Sequence, residues 1–481
     1  MKKNVISKIF KNNNFLSLAN NGLIAVFGFF GFLLLVRSLN TNDFGKWVLL
    51  ITTANFLDML RFGITRTAIV RFLAGANEKE FKQLTGSNYL INIVSTFILV
   101  AIVVASSLLF PNQIKQSGFS LFFQWFPVLG LITLPFNNAQ SVLQAQMKFD
   151  KILLLRSINV GGFMLFLLIN YFFFRFHLEI IVYVYLIINL LTSIIASLYN
   201  WDGIKFIFKA TKQANKQILN FGKYTTGTLI GSNLLKSADT FIIGLSPFLG
   251  TAGVALYSIP LKLTEIIEIP LRSFAMTALP GMSKASVENN TAKVKQIFYT
   301  NTGGITLILI PIMILSFIFA KDLVYILGGK DYESTASIFR IFCLYGILLP
   351  LDRFIGVTLD SINLPKFNFY KVIYMTASNI IGDALIVFGF LYVSLTFSIF
   401  SLLSFGYTNL HFVAMVSRKF SIYTVLEGVA WVTIFFTSVG ILVGYHYLRN
   451  NLDIHLRKIF TGGIEFFTQS SFFKKQKDKI N

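Results

Sequence analysis

Long apolar runs alternate with short polar breaks from one end of the chain to the other. Thirteen apolar segments stand out, at 15–37, 44–64, 87–110, 120–143, 152–174, 178–199, 223–246, 250–279, 297–320, 335–358, 368–393, 395–416 and 425–448. Each is close to the ~20 residues that carry an α-helix across a hydrocarbon core of ~30 Å. The pattern predicts an all-α polytopic membrane protein. The stretch 203–219, GIKFIFKATKQANKQIL, is too polar to span. Its Lys205, Lys209, Lys212 and Lys216 recur at helical spacing, with Ile204, Ile207, Phe208, Ile218 and Leu219 largely elsewhere on the wheel. It reads as an amphipathic helix on the inner leaflet. The expected organisation is a six-helix bundle over 1–200, a cytoplasmic linker helix over 201–221, a second six-helix bundle over 222–418, and a further span with a basic tail over 419–481.

Charge sharpens this picture. Only 13% of the residues are charged and 54% are hydrophobic, against about 25% charged in soluble chains. The formal net charge of +21 would suggest nucleic acid in a soluble protein. Here the positive-inside rule accounts for most of it, and no nucleic-acid partner is expected. With the N-terminus cytoplasmic, the inner breaks hold Lys2, Lys3, Lys8, Lys11, Arg66, Arg71, Lys79, Lys82, Lys148, Lys151, Lys284, Lys293, Lys295, Lys366, Arg418 and Lys419. The outer ones hold only Lys46, Lys115, Arg175, Lys321 and Lys330. The beginning, MKKNVISKIFKNNN, has no small-residue cleavage site after it and reads as a cytoplasmic tail. One feature conflicts with simple alternation. A thirteenth span would put the tail outside, yet the tail carries Arg449, Arg457, Lys458, Lys474, Lys475, Lys477 and Lys479. Either 425–448 does not cross simply, or a poorly apolar piece near 452–467 crosses back, or the tail is an exception.

The ionisable residues inside the apolar segments carry the functional reading, since each costs roughly 2.5–3.5 kcal/mol at a span centre. Lys236 and Asp239 lie one turn apart in 223–246; Lys262, Glu265, Glu268 and Arg272 follow at intervals of three, three and four on one face of 250–279. Pro260 and Pro270 in the same segment allow bending. Asp58 and Arg61 form a third pair at one-turn spacing, placed in the first half as Glu268 and Arg272 are in the second. Asp352 and Arg353 are adjacent, point to different faces, and require a partner from another helix or water. Asp383 is the single formal charge in the middle of 368–393, a position suited to a proton-coupling carboxylate. These charges either line a polar lumen or form self-neutralising seams between helices. Asn20, Asn21, Asn55, Asn233 and Asn379 read as interhelical glue. Cys343 is the one cysteine, and His177, His411, His446 and His455 show no ligand spacing, so neither a metal site nor a cofactor is expected.

The ordered motifs LLVRSL, FGKW and RFGI at 33–64, then FGKY, DTFIIG, YSIPLKL and LPGMS at 221–283, resemble bacterial polysaccharide-export flippases of the Wzx type. Those belong to the multidrug/oligosaccharidyl-lipid/polysaccharide exporter (MATE-like) superfamily, and the agreement in layout runs over 15–416. The resemblance implies 12 core transmembrane helices as two six-helix bundles around a V-shaped central cavity, plus one or two C-terminal helices. It implies a transporter, not an enzyme, that works by alternating access in the bacterial cytoplasmic (inner) membrane. Its cargo would be an undecaprenyl-diphosphate-linked oligosaccharide, such as an O-antigen, capsule or exopolysaccharide repeat unit. On this resemblance Arg61, Lys236, Lys262 and Arg272 are diphosphate candidates, and Asp58, Asp239, Glu265, Glu268 and Asp383 are coupling or charge-balancing candidates. Arg37 falls in the family's Arg-x-Leu position, at an outer span end. The implied partners are the lipid-linked oligosaccharide, membrane lipids, H+ or Na+, and a glycan polymerase. A multidrug exporter of the same superfamily competes, although cationic drugs would favour a lumen dominated by carboxylates. A membrane glycan polymerase or glycosyltransferase would need a long outer loop, and the longest here, 321–334, is short.

Overall fold

The computed structural model describes residues 13–73, 75–389 and 422–469. The expected span at 395–416, the N-terminal lysines, Arg418, Lys419 and the lysines at 474–479 lie outside the described residues. Among the described residues there are helices and no strands. Every other predicted segment is a helix: α1 (Asn13–Ser38), α2 (Thr41–Leu73), α3 (Glu78–Leu109), α4 (Ser120–Ile132), α5 (Leu134–Ala145), α6 (Phe149–Phe174), α7 (Leu178–Leu198), α8 (Lys212–Leu245), α9 (Gly250–Val287), α10 (Thr291–Ile318), α11 (Ala336–Ser361), α12 (Pro365–Ala384), α13 (Ile422–Leu452) and α14 (Lys458–Gln469). Eight helices among the described residues are long and apolar enough to cross a membrane, or nine if the α4–α5 pair is one broken span.

The chain divides into two compact units, 1–233 with 250–255, and 234–249 with 256–481. The boundary falls inside α8, so the expected separate linker helix is not what forms. Residues 204–209 make a short 3-10 turn, and Lys212 begins a helix that runs without a break to Leu245. The reason is packing within the first unit. Ala214 and Ile218 close a core with Ala68, Ile69, Leu73 and Leu84, and Gly86 lets the backbone of Phe206 approach α3 where any Cβ would collide. The apolar side of this stretch is taken by protein.

The first unit has its polar residues inside and its apolar ones outside, as lipid demands. On α3, Asn88, Asn92 and Thr96 are buried while Phe97, Ile98 and Ile102 are exposed. The asparagines make a ladder: Asn88 and Asn92 each donate to the Asn138 side chain on α5, at 2.9 and 2.7 Å. Thr65 donates to Asn92. The helices start where caps allow; Asn77 and Glu80 form a capping box before α3, and Asn290 caps α10. Between α4 and α5 the axis turns by 47°, at Thr133 before Pro135, which has no N–H to give.

In the second unit α9 remains one unbroken helix through Pro260, Pro270 and Pro280. The direction of α13 corrects the expected topology. Gly428 packs by Ile386, Val432 by Gly382, Gly440 by Met375, and Gly444 by Lys371 and Ile355. Thus α13 runs antiparallel to α12, where thirteen alternating spans would make the two parallel. It ends beside the start of α10, where the N–H of His455 donates to the Tyr299 hydroxyl at 2.8 Å. The beginning of the basic tail, Arg449 to Lys458, therefore lies at the same end of the unit as Lys293, Lys295 and Lys366, in accord with the charge rule. From there α14 lies along α10, glycine on glycine: Gly303 meets Gly463 and the carbonyl of Ile459, and Gly462 meets Tyr299.

Candidate functional site

In the second unit, α8, α9, α11 and α12 bring the sequence-predicted charges into two groups. The first is cationic. Lys262 pairs with Glu265 at 2.8 Å and Arg272 with Glu268 at 2.5 Å, so the stripe on α9 neutralises itself in two neighbouring pairs. Lys236 on α8 faces this stripe; Arg272, Glu268, Arg353 and Glu265 all act on its charge. Its ammonium is accessible although protein surrounds most of it, and it makes no ion pair among the described residues. Arg353 on α11 is likewise without an ion-pair partner there, because the neighbouring Asp352 is held elsewhere. Asp352 receives Lys371 of α12, whose Nζ contacts its carboxylate at 2.5 Å and its carbonyl oxygen at 2.8 Å. Four cations (Lys236, Lys262, Arg272, Arg353) thus share two carboxylates, and this surplus suits an anion.

The second group is a buried carboxylate pair. Asp239 accepts from the Tyr257 hydroxyl at 2.7 Å and from the Asn379 side chain at 2.8 Å. Asp383 lies beside it, one turn after Asn379 on α12, and is fully buried. Among the described residues neither oxygen of Asp383 has a hydrogen-bond donor, nor has Oδ1 of Asn379. Two neighbouring carboxylates removed from water do not both stay ionised without compensation. The arrangement is therefore able to take up a proton or a small hard cation, whose ligands are oxygens. Asp239 and Lys236, adjacent by turn, do not pair: Asp239 turns to Tyr257 and Asn379, and Lys236 to the charges on α9.

In the first unit Arg61 is fully buried and fully engaged. Nε and Nη2 donate to Asp58, Nη1 to the Thr96 hydroxyl and the Gly130 carbonyl, and Nη2 to Thr133. Those acceptors lie on α3 and at the α4–α5 break. There the interrupted helix ladder leaves a carbonyl in need of a donor. Arg61 holds the break together, and Asp58 balances its charge. No donor of Arg61 is left over for a ligand. Arg37 is exposed at the end of α1. Among the remaining asparagines, Asn233 donates to its own helix at Leu229, and Asn379 donates to the Asp239 carboxylate on another helix. No group of three or more His, Cys, Asp or Glu side chains that could hold a metal ion exists among the described residues.

Reading the chain alone missed Lys371 and Tyr257. A lone lysine or tyrosine in an apolar run has no spacing signature when its partner is on another helix. The requirement that Asp352 or Arg353 find a partner on another helix was the one available signal for Lys371.

A family model described as polysaccharide biosynthesis protein matches residues 34–337. The chain is 22% identical over 265 residues to the probable low-salt glycan biosynthesis flippase Agl15 of Haloferax volcanii. That match covers 54% of this chain and 55% of the relative, about half the length of each. Among solved structures, it is similar to an inward-facing multidrug resistance MATE family transporter of the MOP superfamily (TM-score 0.67, 14% identity, 89% of this chain and 95% of that one). It is also similar to the lipid II flippase MurJ in an inward closed conformation (TM-score 0.66, 15% identity, 94% and 90%). At such identities the likeness is one of fold.

Proposed function

Because the chain belongs to the polysaccharide biosynthesis protein family, we propose that it is a flippase for a lipid-linked glycan. Its cargo is an oligosaccharide on undecaprenyl diphosphate, of the O-antigen, capsule or exopolysaccharide kind, moved from the cytoplasmic to the outer leaflet of a bacterial inner membrane by alternating access. The observation that carries this reading is the cationic surplus around Lys236. A diphosphate–sugar headgroup does not enter hydrocarbon unaided, and fixed cations in a low-dielectric recess bind it more strongly than the same groups in water. Lys236, Lys262, Arg272 and Arg353 are the groups for the diphosphate, with Glu265 and Glu268 keeping the site from holding it too tightly. The Asp239–Asp383 pair, with Asn379 and Tyr257, takes the coupling ion, H+ or Na+. No bond is made or broken, so the chain acts as a transporter. A glycan polymerase would receive its product.

The test is delivery of surface glycan in cells that lack their own flippase, at matched membrane levels of protein. Wild type restores the glycan. Lys236→Ala, Lys262→Ala and Arg272→Ala each remove a charge-assisted contact worth ~1.5–3 kcal/mol, and Lys236→Ala lowers delivery about tenfold or more. Normal export by all three variants would mean that these cations are structural. A wild type that fails with several lipid-linked donors but extrudes a cationic dye would be a drug exporter instead.

A further inference from the structure

Tyr257 stands where three features of the second unit meet: the carboxylate pair, the cation stripe and a weakened turn of α9. It is fully buried, and its hydroxyl donates to Oδ2 of Asp239 at 2.7 Å. The other carboxylate oxygen, Oδ1, accepts from the Asn379 side chain at 2.8 Å. The two donors come from different helices. Asn379 shares α12 with Asp383, whereas Tyr257 is on α9. The Tyr257 ring is held edge to face by Phe342 of α11, with centroids 5.5 Å apart. Of Asp239, Asn379, Asp383 and Tyr257, only Tyr257 shares a helix with Lys262, Glu265, Glu268 and Arg272.

The turn that carries Tyr257 is weakened. Pro260 has no N–H, so the Leu256 carbonyl lacks the ladder bond that would close this turn. One turn further on, the Thr264 hydroxyl donates to the Pro260 carbonyl at 2.9 Å, a back-bond that eases helix bending. The chain also passes from the first unit to the second here, between Ala255 and Leu256. The bond from Tyr257 to Asp239 therefore ties α9 to α8 at a point where α9 itself turns easily. That bond is open to competition. A donating hydroxyl presents its hydrogen to the carboxylate, and a hard cation seeks the same oxygen as a ligand. Oδ2 of Asp239 does not serve both at once.

We propose that Tyr257 is a positioning residue, a latch that Na+ at the Asp239–Asp383 pair releases, so that its release turns the cation stripe of α9. In the empty site the hydroxyl donates to Asp239 and pins α9. An incoming Na+ takes Oδ2 of Asp239 together with the oxygens of Asp383 and Asn379 that have no donor among the described residues. The hydroxyl then leaves Asp239, and α9 pivots at Pro260, moving Lys262 and Arg272 with respect to Lys236. The ion thereby acts on the cargo site through a contact that differs between the two states, as any such coupling requires. A proton does less, since on Asp383 it leaves Tyr257 bonded to an ionised Asp239. The effect on cargo rests on the flippase reading; the link between ion and latch does not.

The experiment measures undecaprenyl diphosphate affinity of the full-length protein in phosphatidylcholine nanodiscs. Na+ is replaced stepwise by choline at constant ionic strength and pH, and binding of radioactive Na+ is followed alongside. Wild-type affinity changes about tenfold with Na+, a usual size for coupling between two sites. Tyr257→Phe removes the latch, so its affinity for the lipid is the same with and without Na+ and equals that of wild type in Na+. It binds Na+ at least as tightly as wild type, because no hydrogen has to be turned away. Tyr299→Phe, which removes a hydroxyl that accepts from the His455 N–H at 2.8 Å, keeps the wild-type dependence. Retained Na+ dependence in Tyr257→Phe overturns the latch. So does weaker Na+ binding, which would make Tyr257 an ion ligand, and so does a wild-type affinity that follows pH and not Na+. Should Tyr257→Phe fail to fold, fluorotyrosine placed at position 257 alone reports directly: its fluorine resonance shifts with the midpoint of Na+ binding, and an unmoved resonance overturns the proposal. A wild type that binds Na+ and shifts that resonance, but binds no undecaprenyl diphosphate, keeps the latch and removes the flippase reading.

Discussion

Lys371 and Asp383 share α12, twelve residues apart, and are held in opposite ways. Lys371 is buried and touches Asp352 through both carboxylate and carbonyl; Asp383 is fully buried with no donor on either oxygen among the described residues. Breaking a buried pair leaves an uncompensated charge and costs ~3–5 kcal/mol. Lys371→Ala should therefore lower the thermal midpoint in detergent by roughly 6–20 °C. Asp383→Asn removes a buried carboxyl that no donor among the described residues holds, leaves the midpoint unchanged or higher, and makes transport insensitive to the driving ion. Equal destabilisation by the two would show Asp383 to be structural. This contrast was half legible beforehand. Asp383 is conspicuous as the single formal charge in the middle of its run, and Asp352 beside Arg353 demands an outside partner. That the partner is Lys371, or that Asp239 lies by Asp383 across 144 residues, depends on how helices pack, to which one-turn spacing is blind.

At the scale of elements, apolar length alone predicted the helices well, because a lipid-facing helix must be both long and apolar. The exception has a cause. The polar start of α8 is continuous with the span after it because protein covers its apolar side, while α9 is one helix through three prolines, as its single apolar run predicted. The seam between α10 and α14 was not predicted; glycines signal close approach only when both helices are known. A Cβ on Gly303 would sit 2.0 Å from the Ile459 carbonyl oxygen, and one on Gly463 2.7 Å from the Gly303 carbonyl. Gly463→Val should lift α14 from α10, so that trypsin cuts after Arg457 or Lys458 about tenfold faster, the effect of ~1.4 kcal/mol of local opening. Gly281→Ala, whose Cβ would meet only Ile297 at 3.6 Å, should leave cleavage unchanged. Equal cleavage of both would mean that the seam does not hold the helix.

For the whole molecule, membership of the polysaccharide biosynthesis protein family and the MATE-like fold agree with the motifs at 33–64 and 221–283. Counting spans misplaced the end of the chain: α13, antiparallel to α12, brings Arg449 to Lys458 to the end of the unit where Lys366 lies, as a shared basic side would require. Since Cys343 is the single cysteine and is buried, side can be mapped on a Cys343→Ser background. Lys366→Cys and Arg457→Cys should react alike with an impermeant maleimide, and Lys330→Cys, at the far end of α11, in the opposite sense. Reaction of position 457 together with 330 would refute this topology.

The glycine seam also has a history in time. Tyr299 and His455, which meet at its edge, are separated by 156 residues of chain. At ~5–20 residues per second, the ribosome needs roughly 8–30 s to deliver the second after the first. During that interval α10 stands with the stripe of Gly303 and Gly304 bare. That side of α10 is closed only once the 156 residues from Tyr299 to His455 have been made, so the finished fold of this unit is also a statement about the order of synthesis.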